Sequence, residues 1–197
     1  LYSLKISDGI AVCPFEGIPL KEKIDEEIAI TTKILGYMFG DGSLYQTKNR
    51  LFGSCYGQIE DLEQIQGDLQ RINVSSKIYS RTRKHKIKTK YGEKEFTSTN
   101  HELHIHSQEF LTKLKILGLS LGNKTRQETR VPEWIKKSSK VIKRLFLAGF
   151  FGAELSSPKT HTKTGFYSPM LNQNKIISLK QNARDFLIEL SSMLDEF

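Results

Sequence analysis

The chain has 197 residues, of which 38% are hydrophobic, enough for the packed core of one large domain or two small ones. No apolar run reaches the roughly 18 to 20 residues of a membrane span, so no membrane-spanning helix is expected. The net charge of +8 excludes little by itself, and its clustering carries the information.

Residues 1–24 read as a strand-and-turn lead-in punctuated by Pro14, Gly17 and Pro19. They lack a charged start followed by a long apolar run, so no secretory signal is expected. With no Met at its start, the chain is expected to be a processed or excised piece of an intracellular protein, cytoplasmic or nucleoid. Cys13 and Cys55 form neither a pair motif nor a zinc spacing and read as reduced thiols.

From Asp25 the pattern turns helical. Ile28, Thr31, Leu35 and Met38 recur at helical spacing, Glu26 and Glu27 occupy the first turn, and Gly40-Asp41-Gly42 ends the run. Two short strands follow around a Lys48-Asn49 turn, then a helix with Ile59, Leu62, Ile65 and Leu69 on one face. Two longer strands join around Tyr91-Gly92, and a helix runs from Ser107 as N-cap to Gly118. Residues 119–139 form a linker in which Pro132 opens a short helix. A second apolar helix spans about residues 140–153. Strands are predicted over 154–163 and 165–176, and a last helix carries Leu179, Ala183, Leu187 and Leu190. The order helix, strand, strand, helix therefore recurs, which marks an internal repeat. The first unit covers 25–118; the second, 140–197, is short by a hairpin and a helix.

Two stretches stand out: "ILGYMFGDGSLY" at 34–45 and "FLAGFFGAELSS" at 146–157. Each is an apolar run dotted with small residues and ending in one acid, Asp41 or Glu154. Gly36 and Gly40 are four apart, as are Ala148 and Gly152, and Gly149 and Ala153, so each pair lies on one helix face. Glycine inside a helix costs about 1 kcal/mol against alanine, which implies a compensating contact. The simplest is one helix against the other. Packed side by side and roughly parallel, they bring Asp41 and Glu154 together where both helix dipoles are negative. Neither acid has an evident cation nearby in sequence, so a divalent metal is the expected counter-charge. Mg²⁺ favours such carboxylate and water oxygens.

These residues resemble the two dodecapeptide motifs of LAGLIDADG homing endonucleases, particularly the double-motif kind found inside inteins. The approach "RVPEWIKKSSKVIKRLFLAGFFGAE" and the segment "FLTKLKILGLSLGNKT" are similar to the family's surroundings of its motifs. The resemblance covers roughly 25–197. It implies an α+β fold of two αββαββα units with pseudo-two-fold symmetry, packed through the motif helices, with the strands forming a saddle on DNA. It also implies a site-specific double-strand DNA endonuclease, intein-encoded. Asp41 and Glu154 would be its catalytic acids and hold Mg²⁺ or Mn²⁺. A Lys usually accompanies them in the family, and the candidates are Lys88, Lys90 and Lys94. Two departures from the pattern are Glu154-Leu155 where Asp-Gly is usual, and the short second unit.

The densest basic cluster is "SRTRKHKIKTKYGEK", with Arg81, Arg83, Lys84, Lys86, Lys88, Lys90 and Lys94 against one acid, Glu93. Alternation on a strand sets Lys84, Lys86, Lys88 and Lys90 on one face and Tyr79, Arg81 and Arg83 on the other. A basic two-stranded ribbon fits the major groove. On the partner strand Glu102, His104 and His106 share a face as polar groove contacts. Zinc ligation by His101, His104 and His106 lacks any supporting cysteine. In the second unit Lys159, His161 and Lys163 take the groove-facing part, and Asn172, Gln173 and Asn174 are candidates to read base edges.

Three readings remain open at this level. The first is a metal-dependent endonuclease, a monomer acting as a pseudo-dimer on a long asymmetric DNA target. The second is a non-cleaving DNA- or RNA-binding module, maturase-like or degenerate. The third is a structural repeat protein, against which the basic ribbon argues.

Overall fold

The computed structural model describes residues 23–156, 159–160 and 165–197. Nearly all of the expected lead-in lies outside these residues, as do Cys13, His161 and Lys163.

The centre is α1 (Glu26–Phe39). Asp25 caps it by accepting a hydrogen bond from Ile28 N at 3.1 Å, and Glu26 and Glu27 face the positive end of the dipole. From Ile30 to Phe39 most of its residues are buried on all sides, while Ile28, expected on the buried stripe, is half exposed. An all-round apolar helix has to sit between other layers. On one side lies a four-stranded antiparallel sheet of β1 (Gly42–Thr47), β2 (Arg50–Gly57), β3 (Ser76–Thr89) and β4 (Gly92–Ile105), in the order β1-β2-β4-β3. Helices α2 (Ile59–Arg71) and α3 (Gln108–Ile116) complete this half. Leu44, Cys55, Leu103, Ile105, Leu62, Leu69, Leu111 and Leu114 fill the core between sheet and helices.

Against the other side of α1 lies α5 (Lys140–Glu154), reached through the short α4 (Glu133–Lys136). The contact is very close. A Cβ added to Gly36 would overlap the carbonyl oxygen of Phe146, and one added to Gly149 would overlap that of Lys33. Such a Cβ would also lie 3.1 Å from Phe150 N in the first case and 2.9 Å from Tyr37 N in the second. The pairs Gly36 and Gly149, Lys33 and Phe146, Tyr37 and Phe150, and Asp41 and Glu154 are all offset by one constant number of positions. That is the signature of a pseudo-two-fold axis between two parallel helices.

Not every small residue of α5 takes part. Ala148 and Gly152 are exposed, and a Cβ added to Gly152 would meet nothing within 4 Å. Expected at the helix interface, they instead line a groove of about 100 Å³ beside it. The interface uses the Gly149–Ala153 row: a Cβ on Gly40 would sit 2.7 Å from the Ala153 Cβ.

The second half departs from expectation in its strands. Only β5 (Lys159–Thr160) and β6 (Phe166–Tyr167) form, paired with each other, and residues 168–176 are irregular among those described. Pro169 and the polar run Asn172 to Asn174 supply no alternating apolar face to hold a longer strand. Helix α6 (Lys180–Leu194) buries Asn182, Phe186, Leu190 and Met193, one position round from the face expected through Ala183 and Leu187. Phe186 docks edge-on against Phe150, with ring centroids 5.6 Å apart. Asn182 is buried because its amide ties down the linker: its Oδ1 accepts from Thr129 N at 2.9 Å and its Nδ2 donates to Thr129 O at 3.1 Å.

Candidate functional site

Asp41 follows the C-cap Gly40 of α1, and Glu154 is the last residue of α5. Parallel packing brings them to one end of the molecule. A Cβ on Gly40 would sit 2.7 Å from Glu154 Cγ and 3.4 Å from its Oε1, so the side chain of Glu154 reaches across the mouth of α1. Burial raises the Glu154 carboxyl above its ordinary pKa, and the charge of Asp41 raises it further. Asp41 keeps contact with solvent, yet the protein packed around it also raises its carboxyl. A carboxylate held with this bias toward its neutral form is short of positive charge.

Part of that charge comes from Lys124, which sequence reading missed. Its ammonium donates to the carbonyls of Met38 (2.7 Å), Phe39 (3.1 Å) and Gly40 (2.5 Å), the last carbonyls of α1. It thereby caps the negative end of the helix and lies within the fields of both acids. Burial pushes its pKa down to about 8, against the opposing pull of Glu154, Asp41 and Cys55. All three of its donor hydrogens are committed to carbonyls, which is the geometry of a charged lysine. In sequence Lys124 looks like one more lysine in a polar linker. The clue was the turn around it: Asn123 Oδ1 accepts from Thr125 N at 2.9 Å, and Gly122 has φ of 85°.

The second half fixes this loop. Lys175 donates to Lys124 O (2.5 Å), Gln127 O (2.6 Å) and Thr129 Oγ1 (2.6 Å), and Ile176 N donates to Thr125 O at 3.0 Å. Asn172, Gln173 and Asn174, expected to read base edges, line a cavity of about 200 Å³ with Glu154 and Lys124. Gln173 Oε1 is buried there without a hydrogen-bond partner.

The hairpin lysines have other partners. Lys86 pairs with Glu93 (2.7 Å) and Glu95 (3.5 Å), Lys88 with Glu93 (4.0 Å), and Lys90 lies 4.9 Å from the centre of the Tyr91 ring. Neither Lys88, Lys90 nor Lys94 contributes to the field at Asp41 or Glu154. Lys124 is instead the lysine whose charge acts on both acids.

The register divides the sheet into two faces. Ile78, Leu103, Cys55 and Leu44 face the helices, and Lys84, Lys86 and Lys88 extend that row along the projecting hairpin. The other face is open. It carries Ser43, Tyr45, Arg50, Phe52, Tyr56, Lys77, Tyr79, Arg81, Arg83, His85, Lys94, Phe96, Asn100, Glu102 and His104. The predicted split of the basic ribbon is therefore present, but the row that continues the open face is the arginine row. The His104 ring packs at a tilt against Tyr79 with centroids 4.7 Å apart, while His101 lies on the helix-facing row and pairs with Ser80 at 2.8 Å. His106 lies just past β4. Lys159 is exposed on β5. Asp41 belongs to the open face as well: Tyr56 N donates to Asp41 O at 2.8 Å, which continues the β1–β2 ladder by one residue.

Among the described residues no three His, Cys, Asp or Glu side chains converge as a metal cluster. The donor set of Asp41 and Glu154 still fits a hard cation, because Mg²⁺ is commonly held by one or two carboxylates together with substrate phosphates. No helix among these residues is long and apolar enough to cross a membrane.

No protein-family model matches the chain. It is 33% identical to the tRNA-splicing ligase RtcB of Pyrococcus furiosus over 100% of this chain and 23% of that protein. The RNA polymerase subunit Rpo1N of Methanocaldococcus jannaschii is 30% identical over 88% of this chain and 13% of its own length. In the same organism the replication factor C small subunit is 32% identical over 88% of this chain and 9% of its own length. The chain thus spans less than a quarter of each of these curated relatives. Among solved structures, the homing endonuclease I-WcaI bound to its DNA recognition sequence matches with a TM-score of 0.51 at 13% identity. That match covers 91% of this chain and 76% of the endonuclease, and at such low identity it is a likeness of fold. The chain has an α+β fold like that of a homing endonuclease.

Proposed function

We propose that this chain is a site-specific DNA endonuclease carried as an inserted, intein-type element within other proteins. The observation that carries the reading is the junction of α1 and α5, where the Gly36–Gly149 contact delivers Asp41 and Glu154 to one point beside Lys124 and next to an open basic sheet face. The relatives support the insertion. An RNA ligase, a polymerase subunit and a replication factor have unrelated tasks, yet each matches this chain over a minor part of its length. A stretch common to all three is not the seat of any one of those tasks.

In this reading residues 25–118 form the first unit, 119–139 the linker and 140–197 belong to the second unit. The open face binds duplex DNA, with Arg81 and Arg83 on phosphates and the aromatic and polar side chains toward base edges. Asp41 and Glu154 would hold the divalent metal, which supplies charge neutralisation at the phosphodiester and a more acidic bound water. Lys124 acts as a cation: it caps α1 and offsets the repulsion of the two acids. Lys175 and Asn182 hold its loop. The two units differ in sequence, so the target is asymmetric and a monomer acts as a pseudo-dimer.

A second reading, a DNA- or RNA-binding module that no longer cuts, draws on the two-residue strands β5 and β6 and on Glu154 in place of Asp. Selecting cut ends from a library of DNA duplexes in Mg²⁺ separates the two. A defined cut that disappears in Asp41→Asn supports the nuclease. Salt-sensitive binding with no cut in Mg²⁺ or Mn²⁺ supports the binding module.

A further inference from the structure

The open sheet face is built for a polyanion, with one exception. Its charged residues are Arg50, Lys77, Arg81, Arg83, Lys94, Glu102 and, at the edge, Asp41; apart from Asp41, which belongs to the paired acids, Glu102 is the only acid placed there among the described residues. A carboxylate facing phosphates lowers affinity, so its position requires a compensating role. It is not absorbed into the basic cluster: Arg81 and Arg83 lie nearby, yet neither forms a salt bridge with it. Its neighbour is His104, whose Nε2 lies 2.8 Å from Glu102 Oε1 without hydrogen-bond geometry, and the His104 ring packs at a tilt of 48° against Tyr79. Both side chains stay partly exposed, at 36% and 40%.

The register also fixes where this acid stands. Glu102 pairs with Tyr56 on one side and Tyr79 on the other, and Tyr56 in turn bonds the backbone of Asp41. Asp41, Tyr56, Glu102 and Tyr79 thus form one row across the sheet. Glu102 is two strands from Asp41, roughly 10 Å at the usual strand spacing. It lines a concavity of about 570 Å³ on that face with Tyr56, Arg81, Asn100 and His104.

We propose that Glu102 is a specificity-determining residue that accepts a hydrogen bond from the exocyclic amino group of a cytosine in the major groove, within about three base pairs of the cut strand's scissile phosphate. The chemistry selects the base. Guanine offers two acceptors and thymine a carbonyl and a methyl at this edge, and all of them meet a carboxylate unfavourably. Adenine has an amino group but sets an acceptor beside it, which suits an amide better than a carboxylate. Cytosine presents the amino donor without that acceptor. His104 flanks the carboxylate.

The inference rests on the DNA-binding reading above, and its test separates the two. Randomised duplexes are selected for binding in Ca²⁺ by the wild type, Glu102→Gln and Glu102→Ala. The wild type enriches cytosine at one position by on the order of tenfold. Glu102→Gln shifts that position toward adenine and leaves the others unchanged, whereas Glu102→Ala leaves it unread and binds bulk DNA at least as tightly. Identical motifs from all three proteins, or an even weakening at every position in the variants, would overturn the assignment and leave Glu102 as a support for His104. A wild type that enriches no sequence would remove the DNA-recognition reading itself, and the assignment with it.

Discussion

The two helices that meet at the centre are near equals, while the sheets attached to them are not. Gly36 and Gly149 make the same contact from opposite sides, and each helix ends in an acid. The first carries a four-stranded sheet with strands of up to 14 residues; among the described residues the second carries two strands of two residues each. The difference separates two requirements. Bringing two carboxylates together needs a symmetric helix contact, which tolerates little change. In the proposed reading, holding DNA needs only enough surface, and the first half supplies most of it among the described residues. What remains of the second half has other work, since Lys175 and Asn182 tether the loop that delivers Lys124.

The symmetry of the acids is open to the sharpest challenge. Asp41→Asn and Glu154→Gln are each expected to reduce cleavage at least about a hundredfold, the loss of several kcal/mol of transition-state stabilisation. Strand-resolved cleavage assays read this directly. Equal losses on both strands mean the halves are catalytic equals; a nick that survives Glu154→Gln means the second half has decayed.

Next comes the packing of the two helices. Gly36→Ala and Gly149→Ala should each destabilise by about 1–3 kcal/mol or more, because the added methyl meets backbone in both cases. Gly152→Ala should be neutral or stabilise by up to about 1 kcal/mol, since nothing opposes the methyl and helix propensity favours it. Denaturant midpoints compare the three, and a large cost at Gly152 would mean the interface is misassigned.

The inequality of the sheets predicts a smaller effect on binding. Arg81→Ala and Arg83→Ala should each weaken DNA binding and lower the salt slope by about 0.9 for each phosphate that the variant no longer neutralises. Lys84→Ala and Lys159→Ala should change it less. Filter binding across a salt series measures the slopes.

The smallest effect concerns pH. Burial holds the Lys124 pKa near 8 in the folded chain, below the ordinary lysine value of 10.5. The folded state therefore binds this proton less tightly than the unfolded state. The cost is full below pH 8 and is relieved as pH rises from about 8 toward 10.5. Metal-free wild type should gain stability over that window relative to Lys124→Met, as urea titrations at several pH values would report.

The parts of this arrangement that were legible in sequence are local ones. The helix start at Asp25, the N-cap Ser107, the Lys48 turn and the apolar runs of α1 and α5 depend on neighbours a few residues away. The first half's element order follows from them. The long-range features were hidden. Lys124 meets Gly40 across 84 positions and Lys175 meets Lys124 across 51, and no local pattern records either pairing. The strand expected over 165–176 forms only at Phe166–Tyr167 among the described residues, and beyond the polar run Lys175 ties the chain to the linker instead of to a sheet. The alternation of the basic hairpin was correct. Which of its rows continues the open face depends on Ile78 pairing with Leu103, a register that sequence spacing does not give.

The central claim is that Asp41 and Glu154 form one site from two helices. Mn²⁺ binding, followed by electron paramagnetic resonance on wild type, Asp41→Asn and Glu154→Gln, tests it most directly. The account predicts that the wild type binds Mn²⁺ and that each substitution weakens binding by at least about tenfold. Undiminished binding in either variant would contradict it, for then the two acids stand near each other without sharing an ion.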